Sequence, residues 1–173
     1  TQNKQFVLGE SVYHATCHSC HKPNGQGQVN QAPPLVGSEW VNGDPTTLAR
    51  IVLHGLGGPI QVRGDDWDLL MPGLGHSPFL NDDRLAAVLT YVRRAWDNTG
   101  DPVDSHFVAS VRRAHLDRTD MWTVESLQNP EAELATNAQK SQDPMIKYRP
   151  AVSGGNAKRG EGLFHAATRI RCH

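Results

Sequence analysis

The sequence predicts a small all-α fold of three to five helices, followed by a loop-rich C-terminal extension. Three observations carry that expectation. Apolar residues recur at helical spacing in several segments, most regularly over residues 85–96. Those segments alternate with stretches rich in glycine and proline, of which the chain has 16 and 11. Aromatic residues make up only 6% of the 173, so the interior is short of large apolar side chains of its own, a gap that a bulky cofactor would fill.

Taken in order, a first helix is expected over residues 7–16, where Leu8, Val12 and Tyr13 keep helical spacing and Gly9 admits a close backbone neighbour. It runs straight into Cys17. Residues 22–41 hold Pro23, Gly25, Gly27, Pro33, Pro34 and Gly37, which forbid regular structure and predict an irregular loop able to wrap a flat ligand. Asp44 followed by Pro45 marks a helix start, Leu48, Ile51 and Val52 form its apolar stripe, and Gly55 is expected to stop it. A second glycine-rich loop is expected over residues 55–76. Asn81 or Asp82 then caps the most regular helix, with Leu85, Val88, Leu89, Val92 and Trp96 on one face as far as about Asp97. Further on, residues 105–116 suit another helix and Thr123 suits a short cap, whereas residues 117–150 are polar and unpatterned. The expected organisation is a domain over 6–100, a helical or irregular connector over 101–150, and the beginning of a second module over 151–173.

Charge excludes some functions. With 17 basic and 18 acidic residues the formal net charge is −1, and no basic run suited to nucleic acid occurs. No apolar run approaches the roughly 18 residues of a membrane span, and no secretory leader precedes Thr1, so a soluble, already processed product is expected.

The chemistry is concentrated at Cys17, Cys20 and His21. Two thiols separated by two residues can each add to a vinyl group on one edge of a haem, and the histidine directly after them is held under the iron. The competing readings are a zinc site completed by Cys172 and His173 as a Cys3His set, and a redox dithiol, which would call for strands in a βαβ pattern that the sequence lacks. A thioether is expected as the sixth ligand. Met71 is the candidate, since Pro72 and the flanking glycines stiffen a loop between two helices; Met121, Met145, His54 and His76 are its rivals.

Residues 6–100 resemble a class I bacterial cytochrome c. The resemblance rests on Cys17, Cys20 and His21, on Gly9 and Tyr13 before them, on Pro33 and Leu35 after them, on the stretch from His54 to Ile60, on Met71-Pro72, and on residues 85–96, where Val88 and Tyr91 sit at the family's helix-packing positions. It implies a cytochrome c fold around a covalent haem c with His21 and Met71 as axial ligands, and it selects Met71 independently. It also implies that the carbonyl of Pro33, or of Pro34, fixes the His21 tautomer, that Leu35 packs on the haem, and that Trp67 or Arg63 donates to a haem propionate. His54 is expected to be structural, and His14, His18, His106 and His115 to lie at the surface. The implied activity is one-electron transfer, with a periplasmic dehydrogenase or a terminal oxidase as partner. A haem enzyme or sensor with an open distal position is the alternative. Because covalent haem attachment occurs outside the cytoplasm, a periplasmic or otherwise extracytoplasmic location follows.

Residues 9–21 recur as 160–173 with one extra alanine. Phe164 answers Tyr13, and Cys172 and His173 answer Cys20 and His21, but Arg169 stands where the first cysteine would be. A second haem held through Cys172 alone, with His173 as iron ligand, is chemically reasonable; a truncated or degenerate second module is the favoured expectation.

Overall fold

The computed structural model describes residues 2–129. Seven helices occur there: α1 (Gln2–Thr16), α2 (His18–His21), α3 (Glu39–Asn42), α4 (Pro45–His54), α5 (Asp82–Arg94), α6 (Ser105–Ala114) and α7 (Val124–Gln128). Between α4 and α5 lie four short strands, β1 (Gly55–Leu56), β2 (Pro59–Val62), β3 (Asp65–Asp68) and β4 (Met71–Pro72), paired as β1 with β4 and β2 with β3. The fold is therefore mainly helical but not all-α. Its helix number exceeds the expected three to five because α2, α3 and α7 are single turns of four or five residues, too short to show a periodicity.

Helix starts follow the expected chemistry. The Asp44 carboxylate accepts from the N–H groups of Thr46 and Thr47 at 3.1 and 2.9 Å, with Pro45 in the first turn, where its missing N–H costs nothing. Asn81 accepts from the Arg84 N–H at 3.0 Å, and Asp104 from that of Phe107 at 2.8 Å. Thr123 accepts from the Ser126 N–H at 3.2 Å and so caps α7.

The helix ends differ from expectation. α5 stops at Arg94 rather than near Asp97, because Ala95 is extended and Trp96 and Asp97 take positive φ angles of 55° and 66°. That turn swings Trp96 off the helical stripe and against Tyr13 and Tyr91, at ring separations of 5.1 and 5.4 Å. Gly25 lies beneath the indole, where a Cβ would sit 2.5 Å from a ring carbon.

The core forms where α1 crosses α5. At Gly9 a Cβ would fall 2.7 Å from both the Ala87 carbonyl carbon and the Tyr91 Cβ, so only glycine lets the two backbones meet. Val12, Tyr13, Leu85, Leu89 and Tyr91 are buried there, together with Leu48, Ala49 and Leu53 of α4. Arg93 is also buried, its guanidinium donating to the carbonyls of Asp101, Val41 and Gly43 at 2.7–2.9 Å. It ties the end of α3 and the loop at Asp101 to α5 around one cation.

Residues 101–128 belong to the same compact unit, which ends at Gln128. Val103, Val108, Val111, Trp122 and Leu127 are all buried. The described part of the expected connector is thus part of the core, held there by contacts far apart in sequence. Residues 130–173, which include Met145, Arg169, Cys172 and His173, lie outside the described residues. Among the described residues no helix is long and apolar enough to cross a membrane.

Candidate functional site

Between α2, α3, α4, α5 and the small strands lies a cavity of about 720 Å³, counting the open space at its mouth. Leu48, Ile51 and Val52 of α4 and Val88, Leu89 and Val92 of α5 form apolar walls, and Cys17, His21, Pro33, Leu35 and Met71 face the same space. Apart from Cys17, His21 and Ser38, the lining side chains are hydrocarbon, indole or thioether.

The first motif sits at the α1–α2 junction. Cys17 is half-buried and lines the cavity, while Cys20 is exposed; neither thiol is oxidised to a disulfide. Burial pushes the Cys17 thiol pKa up, against the hydrogen bond to Thr16 Oγ1 at 3.2 Å. His21 is buried, and its Nδ1 donates to the Pro33 carbonyl at 3.0 Å. Burial holds its pKa below the ordinary value, with that bond acting in the opposite sense. Burial prevails and leaves the ring neutral, while the bond to Pro33 puts the proton on Nδ1 and the lone pair on Nε2. The loop carrying Pro33 is anchored where Gly27 packs on the Ala32 and Pro33 carbonyls at a φ of +66°. Tyr13 braces the motif from behind, its hydroxyl donating to the Lys22 carbonyl at 2.6 Å.

Met71 comes from β4, paired in register with Leu56 of β1. Its sulfur-bearing side chain lines the cavity; Met121, His54 and His76 do not. Met121 instead lies on the outer side of β1, its Sδ 3.8 Å from where a Gly57 Cβ would be. The His54 ring turns away to meet Trp122 and His115 edge-on at 6.5 and 6.0 Å. Burial lowers the His54 pKa to about 4, reinforced by His115 and Arg118. His115, expected at the surface, is half-buried in that group.

Trp67 and Arg63 fall on the β2–β3 hairpin, whose turn uses positive φ at Arg63 and Gly64. Neither lines the cavity, although Trp67 is paired across the hairpin with Ile60, which does. The Trp67 Nε1 is buried with no hydrogen-bond partner among the described residues. The Arg63 backbone N–H donates to both carboxylate oxygens of Glu39 at 3.1 and 3.0 Å, and its side chain lies along the Val36–Gly37 turn. Trp40, not singled out from the sequence, lines the cavity, its indole N–H donating to the Gln61 carbonyl at 2.8 Å. A lone tryptophan in a polar stretch carries no periodicity that would reveal it.

These features fit a covalent haem. The cavity is bulky and apolar, an attachment thiol and a tautomer-fixed imidazole line it together with a thioether, and an indole N–H nearby lacks a partner. They do not by themselves make a zinc site: among the described residues no three His, Cys, Asp or Glu side chains are grouped to hold a metal ion.

Comparison with known proteins points the same way. Residues 5–92 match the family model described as cytochrome c oxidase, cbb3-type, subunit III. The gluconate 2-dehydrogenase cytochrome c subunit of Pantoea cypripedii is 34% identical over 131 residues, 69% of this chain and 28% of that relative. Cytochrome c-552 of Thermus thermophilus is 36% identical over 92 residues, 51% of this chain and 67% of the relative. The cytochrome c subunit of the quinone alcohol dehydrogenase of Gluconobacter oxydans is 34% identical over 95 residues, 54% of this chain and 19% of the relative. The chain thus spans under a third of the two dehydrogenase subunits.

Proposed function

The chain belongs to the cytochrome c family of cbb3-type oxidase subunit III, and on that premise we propose that residues 2–129 form a one-electron carrier holding one haem c. The observation that carries the proposal is the lining of one apolar cavity by Cys17, His21 and Met71, with His21 Nδ1 tied to Pro33.

Bound there, haem c supplies a reversible one-electron couple. Cys17 and Cys20 would anchor it through thioethers, which would keep the cofactor with the chain through every turnover. The neutral His21 ring offers Nε2 to the iron, and the Pro33 carbonyl keeps the proton on Nδ1 and the ring in one orientation. Met71 would hold the haem through Sδ, a soft donor that would favour the reduced state and raise the potential. The hydrocarbon walls from α4 and α5 exclude water and disfavour the more highly charged oxidised state, acting in the same direction. Leu35, which lines the cavity, would pack on the macrocycle. The unpartnered Nε1 of Trp67 supports a role as propionate donor, whereas the Arg63 contacts support a structural one.

With His21 and Met71 both facing the cavity to hold the haem, no substrate site would be needed, which supports a carrier role rather than an enzyme. The relatives' names support a dehydrogenase as electron donor, with a terminal oxidase as the other natural partner. Covalent attachment implies an extracytoplasmic, periplasmic setting.

An alkaline pyridine haemochrome spectrum, quantified per polypeptide, tests the assignment. One haem per chain with the signature of two thioethers is expected. A value near two, with a single-thioether component, would assign a second haem to Cys172 and His173. A colourless protein would overturn the proposal, and carbon monoxide binding to the reduced native protein would replace the carrier by a haem enzyme or sensor.

A further inference from the structure

Strand β1 is the middle of three extended segments. On one edge Leu56 is in antiparallel register with Met71. On the other it bridges in parallel to Trp122: the Gly57 N–H donates to the Trp122 carbonyl at 2.8 Å, and the Trp122 N–H donates to the Gly55 carbonyl at 3.0 Å. A pair of two-residue strands has too few hydrogen bonds to hold itself in register, so its geometry depends on what packs beside it.

Trp122 is that support. Its side chain is 1% exposed and packs with Ile51, Leu56 and Leu127, and Met71 packs against the same group. The Arg118 guanidinium lies 3.5 Å from the centre of the indole ring and that of Arg50 5.4 Å from it, while the rings of His54 and His115 meet it edge-on. Two of these groups come from α4 and two from the chain just before Trp122. The indole is therefore fixed to α4, and through β1 it fixes the strand that carries Met71.

We infer that Trp122 is the positioning residue for the Met71 sulfur, holding it toward the cavity from a segment that touches neither the attachment motif nor the cavity itself. The inference rests on the reading of Met71 as sixth ligand. Its consequence is a control on ligand exchange. Loosening Trp122 raises the population in which Met71 has left the iron, and an exogenous ligand then binds more tightly by the same factor.

The test uses the full-length ferric holoprotein, with imidazole as the competing ligand and the far-red sulfur-to-iron charge-transfer band as the spectroscopic readout. Trp122→Ala is expected to raise imidazole affinity about tenfold or more and to weaken the band. Trp122→Phe, which keeps an aromatic ring at the site, is expected to stay within about threefold of the parent. Val108→Ala is the control: this residue is 0% exposed in the core on α6 and is not in the Trp122 cluster, so its loss lowers stability without touching β1. Equal imidazole affinity in the Trp122→Ala and Val108→Ala proteins would overturn the inference. If Trp122→Ala yields no holoprotein, Leu127→Ala takes its place, and equality with Val108→Ala again overturns it. Met71→Ala separates the two levels. Retention of the band in that variant sinks the ligand reading itself, whereas loss of the band there with no effect at Trp122 sinks only the positioning role.

Discussion

The crossing of α1 with α5 and the clasp formed by β1, β4 and Trp122 both hold one side of the same cavity, but by different means. The helices each span three or more turns, satisfy their own backbone groups internally, and meet along an apolar face opened by Gly9. Their contact is a matter of shape and buried area. The clasp has no element longer than two residues between Gly55 and Pro72 in its own sheet, and it draws its order from a tryptophan more than sixty residues along the chain. A local element can carry a rigid attachment point such as His21; an element supported only from a distance can be loosened without unfolding the rest. Under the proposed function, this contrast would give His21 a fixed mount and Met71 an adjustable one.

The comparison can be broken most severely at the helix crossing. Gly9→Val places side-chain atoms into the Ala87 carbonyl and the Tyr91 Cβ, and a loss of about 4 kcal/mol or more is expected, near the limit for a single substitution. Guanidinium unfolding followed by far-ultraviolet dichroism measures it; a loss below about 1 kcal/mol would mean that the helices can separate without penalty.

A smaller effect is expected inside the clasp. Gly55 has a φ of +88° and a ψ of 170°, a region open essentially to glycine, and a Cβ there would meet the Met71 carbonyl oxygen at 2.6 Å. Gly55→Ala should cost about 1–3 kcal/mol while leaving the helical dichroism intact and weakening the far-red sulfur band. Equal loss of both signals would show that clasp and helices unfold as one.

Removing a cap sharpens the contrast further, since a helix start is a local device. Asn81→Ala should cost about 1 kcal/mol, read from the shift in the unfolding midpoint, with no change in imidazole affinity. A change in that affinity would tie α5 to the clasp.

The last effect concerns acid. The His54 pKa is lowered from the ordinary 6.5 to about 4, so between those values the unfolded chain binds a proton that the folded protein refuses. Stability therefore falls as pH falls through that window. His54→Asn should lose less melting temperature than the parent between about pH 7 and 4.5, measured side by side at matched ionic strength. Parallel curves would remove His54 from the acid response.

Much of this was legible in the amino-acid order alone. The spacing of Cys17, Cys20 and His21 specifies an attachment chemistry, and Pro33 stands where the His21 ring finds its acceptor. The stripes of α4 and α5, with Asp44 and Asn81 at their starts, appear because helical periodicity and capping are written within a dozen neighbouring residues. The same local logic singled out Gly9. What tertiary structure decided is whatever depends on residues far apart. Residues 55–76 read as loop because two-residue pairings leave no alternation, and Trp122 read as part of a polar connector because its partners, Leu56, Arg50 and His54, lie in another part of the chain. Trp96 left its expected stripe because packing against Tyr13 and Tyr91 outweighed one more helical turn. Short-range periodicity records how a backbone satisfies itself, whereas the walls of a cavity are set by which distant surfaces exclude water together, and only the folded chain brings those together.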